Sequence, residues 1–231
     1  GAIDIHTHIG GGKVNIARMM LPEDHATDLV EKTELTRSGC GYAAPSTLTA
    51  GYRYAEMGYT ACFEPAMLPA NARQAHMEMA DTPMVDKGAY AMLGSDDFFL
   101  RMLASKKDQA AISDYVGWTI NATQAMGIKV VNPGGISAFK FNQRKLDLDE
   151  LNQYYGVSPR DIIKSLARAV TELGIPHPLH VHGCNLGVPG NLNTTLETIR
   201  AVEGMRMHLT HIQFHSYGTE GDKKFSSGAA E

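Results

Sequence analysis

At 231 residues, with 43% hydrophobic and 20% charged residues, the chain has the composition of a globular protein with one sizeable core. A formal charge of −4, with no basic run interleaved with aromatics, argues against nucleic acid as a partner. No apolar run reaches the roughly 20 residues that span a bilayer, no secretory pattern opens the chain, and Cys40, Cys62 and Cys184 lie far apart without a CxxC pair, which favours a reducing cytoplasm.

Short apolar runs alternate with helical-period segments, the pattern of strand–helix units around a mainly parallel sheet. A strand is expected at Ala2–His8, followed by a helix from Pro45 to Met57 with Ser46 as its N-cap. Strands at Ala61–Ala66 and Gly88–Leu93 come next, then helices over Asp96–Ala104 and Asp108–Met126, the second stopped by Gly127. A strand at Ile128–Asn132 precedes the clearest helix, which has Ser158 as N-cap, Pro159 at its first position, Asp161 in its first turn and Gly174 at its end. Strands at Leu179–Gly183 and Met207–Gln213 flank a last helix over Asn193–Val202.

Six such units point to an α/β fold covering most of a (β/α)8 TIM-like barrel, with an open doubly wound sheet as the alternative. Gly10-Gly11-Gly12-Lys13 lacks phosphate-loop spacing, because Val14 follows the lysine where Ser or Thr is needed. Residues 1–231 read as a single barrel domain cut at both ends, since the chain starts in a strand and closes on the polar KKFSSGAAE.

Ten histidines are the unusual feature, and five of them fall between His180 and His215. Residues two apart in a strand share a face, so His6 and His8 point together, and at the carboxyl end of a barrel strand that direction is the mouth. Two neutral imidazoles there favour a divalent metal, zinc most often, and the plainer reading is a pair satisfied by backbone carbonyls. His180-Val181-His182 and His208-Leu209-Thr210-His211, with His215 beyond, repeat the pattern, and three strands delivering histidine are hard to explain as packing. His25, His76 and His177 lack that context and read as surface or capping residues. Lys129, inside the apolar Ile128–Val131 run, must snorkel, pair or be modified, for instance as a metal-bridging carbamate; Lys140 is the rival candidate.

The set H-x-H on strand one, lysine on strand four and histidines ending strands five and six resembles the amidohydrolase superfamily. The strings IDIHTHIGGGKVN, SGCGYAAPSTLTAGYRYAEMGYT, EPAMLPANARQAH, KVVNPGGISAFKFN, PHPLHVHGCNLGVPGN and HLTHIQFHSYGTEG narrow the resemblance. They are similar to the A subunits of formylmethanofuran dehydrogenases and, equally, to the alpha subunits of the bacterial formyltransferase/hydrolase complex. The similarity runs along essentially the whole chain. It implies a cytoplasmic, metal-dependent amidohydrolase that interconverts an N-formyl amine, formylmethanofuran or an analogue, with formate and free amine. It also implies one or two zinc ions and the other subunits of the complex as partners, with neither nucleic acid nor membrane involved.

Carried over by position, the resemblance makes His6 and His8 ligands of the more buried metal, Lys129 the carboxylated bridge, and His182 and His211 ligands of the second. Lys13 and His211 are the candidates for taking part in the chemistry, with Lys13 and Asn15 on the loop after the first strand. His180 and His208 would lie deeper and orient ligands, and Asn185 and His215 would line the site. The family's aspartate on the eighth strand has no counterpart here, so the chain reads as an excerpt that alone would hydrolyse poorly. Synthesis and hydrolysis use the same site and both remain open, with YGTEG leaning toward the bacterial kind. The rivals are a dihydropyrimidinase-like cyclic amidohydrolase, a metal-stabilised scaffold subunit without turnover, and a barrel core whose histidines bind nothing.

Overall fold

The structure, a computed structural model, describes residues 1–20, 34, 46–133 and 146–218. The chain divides into two compact units, Gly1–Ala91 and Met92–Glu231. Cys40, His25, Lys140 and most of the SGCGYAAPS, GGISAFKFN and GTEG strings lie outside the described residues.

In the first unit β1 (Ala2–Asp4) and α1 (Gly12–Met20) are followed by α2 (Thr47–Glu56), β2 (Tyr59–Met67), α3 (Ala72–Ala80) and β3 (Asp86–Met92). β1 runs parallel to β2, with Ile3 opposite Ala61 and Asp4 opposite Cys62; β2 runs parallel to β3, with Glu64 opposite Ala89. Cys62, Met67, Ala89 and Tyr90 form the buried centre, where Phe63 stacks on Tyr90 at 5.9 Å between centroids. The first strand ends four residues before the expected His8. The Asp4 carboxylate accepts the His6 amide at 3.0 Å, a local bond that bends the chain out of the ladder. One backbone bond, Thr7 N–H to the Phe63 carbonyl at 3.0 Å, keeps the bent segment beside β2.

Sequence periodicity did not signal α1 or α3, although Ala72–Ala80 is built of good helix formers. The glycine run seats α1 against α3: Gly11 has φ +94°, and a Cβ there would lie 3.2 Å from that of Ala75. The Gly11 amide donates to the Glu78 carboxylate at 2.7 Å, placing negative charge at the start of α1.

The second unit continues with α4 (Asp97–Ala104), α5 (Gln109–Thr123), β4 (Gly127–Val131), α6 (Pro159–Glu172), β5 (Leu179–His182), α7 (Leu192–Ala201) and β6 (Met207–Leu209). The expected caps form. Asp96 and Asp108 accept amides at the starts of α4 and α5, and Ser158 and Asp161 complete a reciprocal capping box on α6. α5 stops earlier than expected, because Gln124 turns left-handed at φ 53° and Gly127 is the first residue of β4 rather than a cap. Ile162, Ile163, Leu166 and Val170 bury one face of α6, each such side chain contributing about 1.5–3 kcal/mol.

β4, β5 and β6 are parallel neighbours in register: Lys129 lies opposite His180, which lies opposite His208, and Val131 lies opposite His182. Strand alternation therefore puts Lys129, His180, His182 and His208 on one face, and Val130, Val181 and Leu209 on the other. β6 is shorter than expected because His211 is left-handed, at φ 61° and ψ 46°, and a 3-10 turn follows at Ile212–Phe214.

Candidate metal centre

In the first unit the bent segment after β1 carries His6 and His8, whose rings meet edge to face at 5.6 Å. His8 Nδ1 lies 3.0 Å from Glu64 Oε1. Glu64 is 1% exposed on β2 and also accepts the amides of Ile9 at 2.9 Å, Gly10 at 3.3 Å and Ala66 at 2.9 Å. A carboxylate so placed accepts, so the proton of a neutral His8 sits on Nδ1 and the Nε2 lone pair stays available. Lys13 and Asn15 lie on α1, not on the expected loop. Lys13 is exposed, and the Asn15 amide donates to Glu78.

The second unit holds a buried row and a more open pair. Lys129 is 1% exposed and His180 is fully buried beside it. His177 Nε2 lies 2.9 Å from His180 Nδ1, and the His180 and His208 rings are 4.5 Å apart. His177 is therefore part of this row rather than a surface or capping residue. Burial, then the neighbouring His208, Arg206 and Lys129, pull its pKa down to about 4. Burial followed by Lys129 also lowers that of His208.

His182, ending β5, and His211, just past β6, meet edge to face at 4.8 Å. Both line a pocket of about 450 Å3 with Leu186, Gly187, Phe214 and Tyr217. His215, 2% exposed, ties down the loop that carries His211: its Nε2 donates to the Thr210 carbonyl at 2.7 Å, and its Nδ1 faces the Thr195 hydroxyl at 3.0 Å. The Thr195 hydroxyl also reaches the His215 carbonyl at 3.0 Å. Asn185 organises the loop after β5. Its Oδ1 accepts the Leu146 amide at 3.0 Å, and its Nδ2 donates to Asp147 at 3.2 Å and Thr194 at 3.3 Å.

The donor chemistry suits a nitrogen-favouring divalent cation, with the His6–His8 pair in the first unit and the His182–His211 pair in the second, where the buried Lys129 lies opposite His180 on the neighbouring strand. Among the described residues no three His, Cys, Asp or Glu side chains group as a metal-binding cluster, so each unit offers a pair rather than a full coordination sphere. Sequence reasoning missed Glu64, Phe214 and Tyr217. The signals that could have found them are a carboxylate inside the apolar CFEPAM run and aromatics sitting between and beyond histidines in HIQFHSYG. Cys62 and Cys184 are free, buried thiols. No helix among the described residues is long and apolar enough to cross a membrane.

Comparison with known proteins bears on this arrangement. The chain is 41% identical to the protein FwdA of Methanocaldococcus jannaschii over 242 residues, covering all of this chain and 42% of the relative. It is 41% identical over 218 residues to the A subunit of the formyltransferase/hydrolase complex Fhc of Methylorubrum extorquens, covering 94% of this chain and 39% of the relative. It thus spans about two fifths of the length of these relatives. The crystal structure of the FhcABCD complex from Methylorubrum extorquens with methylofuran matches all of this chain and 42% of that one, at a TM-score of 0.87 and 40% identity. The expected α/β class holds, with six strands of an incomplete TIM-like barrel and their connecting helices among the described residues. The Amidohydrolase family model matches residues 1–230, and members of that family generally bind metal ions. A chain that matches this model from end to end, with histidines at the ends of its parallel strands, belongs to the amidohydrolase family.

Proposed function

We propose that this chain, as part of a longer protein, forms the metal-dependent hydrolase barrel domain of an A-type subunit in a formylmethanofuran dehydrogenase or formyltransferase/hydrolase complex. The observation that carries the reading is the pairing of His182 with His211 on an apolar pocket, in a chain 40% identical to one crystallised in a complex with methylofuran. The reaction is interconversion of an N-formyl amine, formylmethanofuran or an analogue, with formate and the free amine, in the cytoplasm and with the other subunits as partners.

His6 and His8 of the first unit, and Lys129, His182 and His211 of the second, are the zinc ligands in this reading, with Lys129 carrying a carboxylate on its amine. Bound zinc supplies Lewis-acid polarisation of the formyl carbonyl and an acidified water of pKa about 7. The remaining work falls to the protein. Leu186, Phe214 and Tyr217 exclude bulk water from the wall beside His182 and His211, where a lower dielectric strengthens each polar contact. The backbone lock on Thr210 holds His211 in its left-handed conformation. Lys13, exposed at the start of α1, is the candidate cation for an anionic part of the substrate.

The test is His182→Ala in the full-length protein within its complex. This reading expects bound zinc to fall and formyl-amine hydrolysis to drop by about 100-fold or more, with no compensating activity on cyclic amides. Unchanged hydrolysis with weakened assembly would instead support a scaffold role, and turnover of cyclic amides in preference to formyl amines a dihydropyrimidinase-like enzyme.

A further inference from the structure

We propose that Glu64 is the positioning residue that sets the tautomer of His8 and thereby readies it for metal, an inference that rests on the zinc reading above. Four N–H groups converge on this one carboxylate. Oε1 takes His8 Nδ1 at 3.0 Å and the Ala66 amide at 2.9 Å; Oε2 takes the Ile9 amide at 2.9 Å and the Gly10 amide at 3.3 Å. Three of the four donors are backbone, so their positions are set by the chain path from β1 to Gly10 and by the end of β2. The fourth is the histidine ring, which the other three hold by fixing the acceptor. Glu64 is 1% exposed while the His8 side chain is 49% exposed, so the buried group is the anchor and the exposed ring is the part presented. The same bonds that turn the segment after β1 thus also aim its second imidazole. A carboxylate behind the metal-free nitrogen raises ligand basicity as well as fixing orientation.

Glu64→Gln reverses this logic by chemistry rather than size. An amide offers one acceptor and one donor group to four donors. Turning its oxygen to Ile9 and Gly10 leaves one backbone amide, that of Ala66, facing an N–H; the opposite turn leaves two, Ile9 and Gly10. The first arrangement is therefore preferred, and it aims the glutamine N–H at His8 Nδ1. The imidazole proton then moves to Nε2, and the nitrogen needed for metal is blocked.

The experiment measures zinc affinity by chelator competition in the full-length protein, alongside the melting temperature of the metal-free form. Glu64→Gln is expected to weaken zinc binding about 10–100-fold, and Glu64→Asp, which keeps the acceptors but withdraws them by one methylene, by less. Asp96→Ala removes the α4 cap and a Tyr115 bond, and is expected to lower the melting temperature while leaving zinc affinity within about 3-fold. Zinc affinity unchanged in Glu64→Gln, or reduced no more than in Asp96→Ala, overturns the role. If Glu64→Gln does not fold, Glu64→Asp decides: weaker zinc binding at an unaltered metal-free melting temperature supports the role, and equal affinity overturns it. An unsubstituted protein that binds no zinc refutes the zinc reading itself, and is told apart by appearing before any substitution is made.

Discussion

Replacing His215 by phenylalanine tests how the second histidine pair is held. His211 occupies a left-handed backbone, φ 61°, that costs an L-residue with a side chain about 1–2 kcal/mol. Bonds around it must outweigh that cost: Thr210 N–H and Oγ1 reach the Val181 carbonyl at 3.0 and 3.2 Å, and His215 Nε2 holds the Thr210 carbonyl at 2.7 Å. Phenylalanine keeps a ring in the space but brings no donor. The Thr210 carbonyl, on a residue 4% exposed, is then left without its ring N–H, at about 1–3 kcal/mol. The Thr195 hydroxyl keeps the His215 carbonyl as acceptor and adds little. The bare Gly183 leaves room for the six-membered ring, since even a Cβ added there would lie an ordinary 3.6 Å from His215 Cε1, so the expected total stays at about 1–3 kcal/mol. The assay is urea unfolding of the metal-free full-length protein, with amide exchange at Phe214 and His215, whose N–H groups close the turn onto His211 and Ile212. His215→Gln, which restores an N–H, should recover part of the loss. A Phe variant within about 0.5 kcal/mol of the parent, with exchange in the turn unchanged, would refute the lock.

Two further outcomes follow from packing and from charge. Gly94→Ala should cost about 1–3 kcal/mol in thermal or urea unfolding, because its Cβ would sit 2.7 Å from Val130 Cγ1 and 3.1 Å from Val130 Cα; wild-type stability would contradict that packing. His177 has a folded-state pKa near 4, below the 6.5 of an unperturbed imidazole, so the unfolded chain takes up its proton first. Its contribution is therefore complete above pH 6.5 and is lost as pH falls toward 4, by about 1–2 kcal/mol once solvent screening of a half-buried ring is allowed for. His177→Gln should flatten that part of the stability–pH curve, and an identical acid slope in the variant would rule the ring out as its source.

The features legible in sequence were those written in local spacing. Alternate residues place His180 and His182 on one strand face, and the Ser158-Pro159-x-Asp161 signature gave both the start and the cap of α6. The long family strings carried the fold class as well. What sequence spacing could not carry was contact between distant positions. Glu64 lies 56 residues from the histidine it faces, and nothing in CFEPAM announces that partner. His177 looked contextless for a related reason: its neighbour His208 comes from a strand that only the parallel register brings alongside. Strand lengths were overestimated at β1 and β6 because single-residue events ended them, an aspartate side chain capturing the His6 amide and a left-handed turn at His211. The glycines after His8 let the start of α1 sit close to Ala75, another contact between distant positions.

The central claim is that five side chains, His6, His8, Lys129, His182 and His211, are zinc ligands in the intact protein. Anomalous scattering across the zinc absorption edge, recorded from crystals of the full-length protein in its complex, tests it most directly. The account predicts zinc density in contact with these side chains, together with continuous density for a carboxylate extending from Lys129 Nζ. Zinc bound elsewhere, or a site saturated with zinc in solution whose crystal density touches none of the five, would contradict it.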